Sequence, residues 1–339
     1  MKRFYSTLLL TVAFSLAMAQ DTFSIVALDP ATGEIGSAGA SCVPGIGEFG
    51  GVILLSGILP GRGGLNAQAY ICIDPHINLD NGMARLQEGL SPQEVLDWLA
   101  DNDACAAQDY DPAYRQYGAV AIAEGGTPSA AAFTGQSADD WKGHRTGATY
   151  AIQGNILKGP EVLDGMEQAF TNTEGSLAER LMAAMQGANV VGADARCTEA
   201  GTSSTSAFLR VFRPGDAPDD PYLELNVAEA PSGIEPIDSL QALFDEWALT
   251  GSRGGLSPDA PHFRAYPNPA QGQIRLVVEA AEQDALLRWY DTKGQLAQTD
   301  RVSAGWQDVN CPAGQGVYWL CLCGKNGQIW QRERLLLMD

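Results

Sequence analysis

A histidine, an asparagine, a glutamine, an aspartate and an arginine, each beside glycine or at a predicted strand end, punctuate Gly-rich and otherwise apolar segments between Phe133 and Val211. They fall in Phe133-Thr134-Gly135, Trp141 to His144, Gln153-Gly154-Asn155 and Asp194-Ala195-Arg196, and the hydroxyl run Thr202 to Ser206 follows. Brought to one pocket, side chains of this mix can bind a small substrate and move protons on it. His144, one of three histidines, titrates near neutral pH and suits a general acid or base, or a surface hydrogen bond. Asn155 and the Gly154 amide are candidate oxyanion donors, because glycine lets backbone approach a ligand closely. The same pair also suits a strand-to-helix turn ahead of Pro160. Gln153 stands beside them as a substrate contact. Arg62, in Gly61-Arg62-Gly63-Gly64, has the planar fork that clamps a carboxylate, or that simply decorates a turn. Asp194 and Arg196 are further binding candidates, and read first as an ion pair that positions the hydroxyl run.

The elements that must carry these residues follow from hydropathy period and punctuation. Strands are expected at about 23–28, 34–40, 51–58 and 65–71, from alternating β-branched and small apolar residues. Helical spacing covers 78–87 and 91–100, the second opened by Ser91, Pro92 and Glu94 as a capping box. Strands return at 117–123, 130–134 and 149–153, helices at 160–170 and 176–185, and strands at 206–212 and 222–227. Runs of strands alternating with helical pairs fit an α+β four-layer αββα sandwich better than a parallel βαβ sheet. Residues 229–262, rich in Pro and Gly with one helix at 237–249, read as a linker.

Other motifs exclude functions. Asp101-Asn102-Asp103 and Asp109-Tyr110-Asp111 lack the glycine and terminal glutamate of a calcium loop and read as a solvated acidic loop. Gly61 to Gly64 lacks the Lys-Ser/Thr of a phosphate loop. The chain carries 21 basic and 41 acidic residues, a formal charge of -20. Residues 263–339 hold eight of each sign, so the acidic excess lies before them. Nucleic acid and anionic membranes, which need a basic footprint, are poor partners. No cofactor motif is found, and Cys321 and Cys323, though on one strand face, lack a nearby histidine, so no metal is expected.

The chain ends read as addresses. Lys2-Arg3, the apolar run Leu8 to Leu16 and Ala17-Met18-Ala19 form a secretory signal over residues 1–19, cleaved after Ala19. That run is too short to span a bilayer, and no later segment is an integral membrane span. At the other end, Tyr266-Pro267-Asn268-Pro269 opens short β-rich runs separated by Gly and Asn, which argue for a small all-β sandwich over 263–339. This segment resembles the C-terminal sorting domain of type IX secretion cargo. The resemblance implies a partner in the type IX machinery, export across the outer membrane, and a secreted or cell-surface location. A carbohydrate-binding sandwich is the alternative.

Thr22-Phe23-Ser24-Ile25-Val26-Ala27 and Asp29-Pro30-x-Thr32-Gly33-Glu34, with the segments from Phe133 to Val211, carry a second resemblance over roughly residues 22–228, within a domain expected at 20–228. They resemble the domain of unknown function 1028 family, which is similar in fold to N-terminal-nucleophile (Ntn) hydrolases. The resemblance implies that Cys42 pairs with Cys197, and it places Thr22 where an Ntn nucleophile stands. That chemistry needs a free α-amine as base for its own side chain. Cleavage after Ala19 leaves Gln20-Asp21 ahead of Thr22, so either a second trimming step, another nucleophile (Ser24, Ser41 or Cys42), or no catalysis is implied. Ser24 shares a strand face with Thr22 by period two. The expectation is an exported amidohydrolase acting on a small or peptide-like substrate, with a non-catalytic binding module of the same fold as its rival.

Overall fold

The computed structural model describes residues 22–73, 75–123, 125–250, 262–279, 285–290, 296–323 and 329–338. The expected signal peptide, its cleavage point and Gln20-Asp21 lie outside the described residues, as does the linker stretch 251–261. The chain is mixed α+β and divides into two compact units, up to Leu240 and from Gln241.

The first unit runs β1 (Thr22–Leu28), β2 (Ile35–Ser41), β3 (Ser56–Leu59), β4 (Gly63–Gln68), α1 (Ile77–Glu88), α2 (Pro92–Asp101), β5 (Gln116–Ile122), β6 (Pro128–Thr134), β7 (Gly143–Thr146), β8 (Tyr150–Gly154), α3 (Glu161–Asn172), α4 (Leu177–Gly187), β9 (Ser206–Phe212) and β10 (Leu223–Val227). Helix α5 (Pro236–Thr250) follows and crosses the division between units. Helix α2 starts as expected: Ser91 Oγ accepts the Glu94 amide and the Glu94 carboxylate accepts the Ser91 amide. Ser176 and Glu179 repeat this box at the start of α4, satisfying amides that the first helical turn leaves open.

The strands form two antiparallel sheets, ordered β10-β9-β2-β1-β8-β7 and β3-β4-β5-β6. Strands β1 and β8 pack on β4, β5 and β6, so the sheets face one another. Helices α1 and α2 cover the outer side of the smaller sheet, and α3 and α4 that of the larger. Period two then sorts each strand. In β4 and β5, Leu65, Ala67, Tyr117 and Ala119 pack with Leu79, Leu86, Val95 and Leu99 of the helices. The alternate positions face the opposite sheet. There Val26, Leu28, Ile35, Val120, Ala151 and Phe212 make an apolar cluster. Toward the other end of the same strands the inter-sheet face turns polar.

Two elements differ from expectation. The strand expected at 51–58 begins with a 3-10 turn at Val52–Leu55, because Gly50 and Gly51, at φ 87° and 95°, redirect the chain before β3. Strand β7 was not expected: its Gly-His-Arg-Thr sequence has no apolar period, and pairing to β8 makes it a strand.

The second unit contains β11 (His262–Gln271), β12 (Gln273–Glu279), β13 (Ala285–Tyr290), β14 (Leu296–Val302), β15 (Gly305–Asn310), β16 (Gly316–Cys323) and β17 (Ile329–Leu337). These make one seven-stranded sheet, ordered β14-β13-β16-β17-β11-β12-β15. Trp289, Leu287, Leu320, Leu322, Ile274 and Leu276 form its core. Among the described residues no helix is long and apolar enough to cross a membrane.

Candidate functional site

Thr22 opens β1 with 1% of its surface exposed. Its amide donates to Asn155 Oδ1 at 3.3 Å, and its carbonyl accepts Gln68 Nε2 at 2.9 Å and the Asn155 amide at 3.2 Å. Its own hydroxyl, Oγ1, is buried without a hydrogen-bond partner among the described residues. A buried polar atom left in that state costs stability, so each such case calls for an explanation.

Ser24 lies on the same face. Its hydroxyl donates to Gln68 Oε1 and accepts from Gln153 Nε2, both at 2.6 Å. Gln153 stands directly across from Ser24 in the β1–β8 ladder and against Gly118, whose missing side chain makes the room. Gln68 also donates to Gln116 Oε1 at 2.7 Å. Gln116 Nε2 then reaches Thr134 Oγ1 at 3.0 Å and the carbonyls of Gly143 and Gly154 at 3.1 and 2.9 Å. Thr134 Oγ1 meets His144 Nδ1 at 2.9 Å. A chain of side chains thus links Ser24 beside Thr22 to His144, crossing between the sheets. His144 is at the surface. Desolvation of its ring, then the Arg145 guanidinium, hold its pKa below the ordinary histidine value, which favours the neutral imidazole at pH 7.

Loops at this end of the larger sheet close around Thr22. Thr22 pairs with Ser41, the end of β2, and Cys42 and Cys197 sit at disulfide distance with Cα atoms 5.9 Å apart, as the family resemblance implies. Cys42 is therefore removed as a free thiol nucleophile. Cys72 and Cys105 form a second pair, 5.5 Å between Cα atoms. Asp194, fully buried, accepts the Cys42 amide at 2.8 Å, the Arg196 amide at 3.1 Å and the Arg196 guanidinium at 3.0 and 2.7 Å. It ties the turn Ala195–Cys197 to β2. Ser203 in the hydroxyl run donates to Glu235, its Oγ at 2.5 Å and its amide at 2.6 Å.

Thr22, Ser24, Gln153, Gly154 and Asn155 are in one neighbourhood, with His144 at its surface end and Asp194 and Arg196 in the adjoining loop. Gly154 sits in the ladder between Phe23 and Gly143. Arg62 is elsewhere. It lies before β4, whose opposite end carries Gln68, a separation of roughly 20 Å by strand rise, and it donates to the Leu86 carbonyl at the end of α1. Gln68 and Gln116 are absent from the sequence-derived set, although Asn66 and Gln68 alternate with Leu65 and Ala67. The acidic loop is not wholly solvated either: Asp103 is buried against Arg115 at 2.7 Å. Arg115 also donates to the carbonyls of Tyr70, Cys105 and Ala107, which compensates for the loss of water around both charges.

A family model described as a family of unknown function, DUF1028, matches residues 22–237. The crystal structure of protein SPO2555 from Silicibacter pomeroyi, described with the same family model, is similar at 27% identity with a TM-score of 0.52, covering 71% of this chain and 92% of that one. No curated protein matches.

Proposed function

Because the chain belongs to the DUF1028 family, whose description names no reaction, we propose from the geometry that it is an Ntn-type amidohydrolase with Thr22 as nucleophile. The observation that carries this is the Thr22 hydroxyl, buried without a partner among the described residues and beside a main-chain nitrogen that Asn155 already orients. Two facing sheets, each with an outer helix pair, support the four-layer αββα Ntn sandwich as the setting. Removal of the chain through Asp21 converts the Thr22 amide into an amine. That amine accepts the Oγ1 proton while Oγ1 bonds the substrate carbonyl carbon. The carbon–nitrogen bond then breaks, the departing nitrogen takes the proton, and water hydrolyses the Thr22 ester to release acid and restore the hydroxyl. Ser24, bonded on both sides, and Gln68 are positioning residues.

A specific observation favours the second reading, a binding module without catalysis: the Thr22 nitrogen is part of a peptide bond in the full sequence, and the residue is almost fully covered. Intact-mass analysis of the exported protein, with an amide-hydrolysis screen and labelling by a β-lactone, separates the two. An N-terminal Thr22 that takes the label and hydrolyses amides is expected. Gln20 or pyroglutamate at the terminus of an active preparation would sink the mechanism. In the same proposal residues 1–19 direct export, 20–228 form the functional domain, 229–262 link it, and 263–339 engage the type IX machinery. Deleting 263–339 should leave the protein inside the outer membrane, as fractionation would read.

A further inference from the structure

The guanidinium groups around the Thr22 end of the first unit are already matched. Arg196 is paired with Asp194, Arg115 with Asp103 and Arg145 with Asp164. Lys142 bonds Asp140, and the exposed Lys158 reaches the Val191 carbonyl at 3.5 Å. Among the described residues a substrate carboxylate or phosphate meets no unmatched guanidinium there.

The opposite charge is open. The Asp139 carbonyl accepts the Ile156 amide at 3.1 Å, one residue beyond Asn155. Asp139 Oδ2 accepts the Tyr70 hydroxyl at 2.6 Å, two residues beyond Gln68. Asn155 and Gln68 are the side chains that hold the Thr22 main chain. Asp139 is thus bonded to the chain neighbours of both side chains that hold Thr22: to Ile156, which follows Asn155, and to Tyr70, two residues past Gln68. Asp139 is half-buried, and its Oδ1 makes no hydrogen bond among the described residues. The Tyr70 ring meets Tyr114 edge-on, with centroids 5.4 Å apart. A partly desolvated carboxylate beside aromatic rings attracts an ammonium group more strongly than an exposed one does.

We propose that Asp139, with Tyr70, binds the ammonium group of the substrate, so that the ligand of this site is an amine-bearing amide such as an α-amino acyl amide. The cleavage step rests on the Thr22 reading; the binding does not. Calorimetric titration of the exported Thr22→Ala protein with alaninamide and with N-acetylalaninamide therefore tests it without turnover. At pH 7 alaninamide should bind about tenfold more tightly, the order expected of one partly desolvated ion pair. Asp139→Asn should reduce that preference to within twofold, leaving N-acetylalaninamide unchanged. Tyr70→Phe, which keeps the carboxylate, should retain it. Equal binding of the two amides, binding of neither at millimolar concentration, or a preference unchanged in Asp139→Asn would overturn the assignment. Loss of the preference in Tyr70→Phe would overturn it too, by tracing the effect to loop structure. Hydrolysis of both amides by the unsubstituted protein is a separate readout: its absence would count against the Thr22 reading alone.

Discussion

A hydroxyl such as Thr22 Oγ1 burdens the fold by about 1–3 kcal/mol when buried without a partner. Replacing it with a methyl group should therefore be harmless to folding. Thr22→Val is expected to unfold at the same or higher denaturant concentration while losing amide hydrolysis, and a loss of more than about 1 kcal/mol would show that the hydroxyl is bonded. His76 is the second residue whose state matters. Its Nε2 meets the Ala67 carbonyl at 3.1 Å, and burial lowers its pKa to about 4. The unfolded chain then binds the proton more readily than the folded one between pH 6.5 and 4, so its contribution is complete above pH 6.5 and is lost as pH falls through that window. Urea unfolding of His76→Gln should show a shallower acid loss than the parent, by about 3 kcal/mol at pH 4. Gln153 and Asn155 were legible because they flank a glycine in an otherwise apolar run, whereas Thr22 came from the family resemblance and Ser24 from sharing its strand face by period two. Gln68 and Gln116 were not, since an amide in a strand reads as solvent-facing until a second sheet is known to cover it. Asp103 misleads for the same reason: its partner Arg115 is 12 residues away, and only the folded loop brings them together.

Elements at the Thr22 end are joined by covalent ties as well as by ladders. The Cys42–Cys197 pair spans 155 residues of sequence, and Cys72–Cys105 spans 33. Loop-closure entropy makes the first worth about 5 kcal/mol and the second about 4 kcal/mol at most. Cys42→Ala with Cys197→Ala should thus lower the melting temperature more than the Cys72 and Cys105 double variant, as calorimetry would read. Equal losses would mean that local packing, not loop length, governs both. Helix α2 was legible from its start because Ser-Pro-x-Glu announces it at Ser91; the box at Ser176 and Glu179 was visible only in the structure. Strand β7 was not legible, because His144 and Arg145 acquire strand geometry from Gln153 and Ile152 across the ladder.

Taken whole, the chain is two units, and the stretch of acidic excess contains all of the first. Glu235, which holds Ser203, belongs to the first unit although it follows the last strand of that unit's sheets. A chain of residues 22–240 should consequently unfold in one cooperative transition, whereas residues 22–228, lacking Glu235, should melt earlier by several degrees; equal midpoints in thermal scans would count against a stabilising role for that contact. The α+β composition could be read from the order of elements, but which strands are neighbours could not, because β1 is an interior strand between β2 and β8. That placement also orders events in time. The amide of Thr22 waits for a side chain 133 positions downstream, and a chain that emerges from its N-terminus can first form only the β1–β2 hairpin. Long-range pairing of this kind closes late. Every partial chain ending before β8 therefore has Thr22 and Gln68 but not Asn155, and with Thr22 as the nucleophile we propose, reactivity is withheld until synthesis has passed that strand.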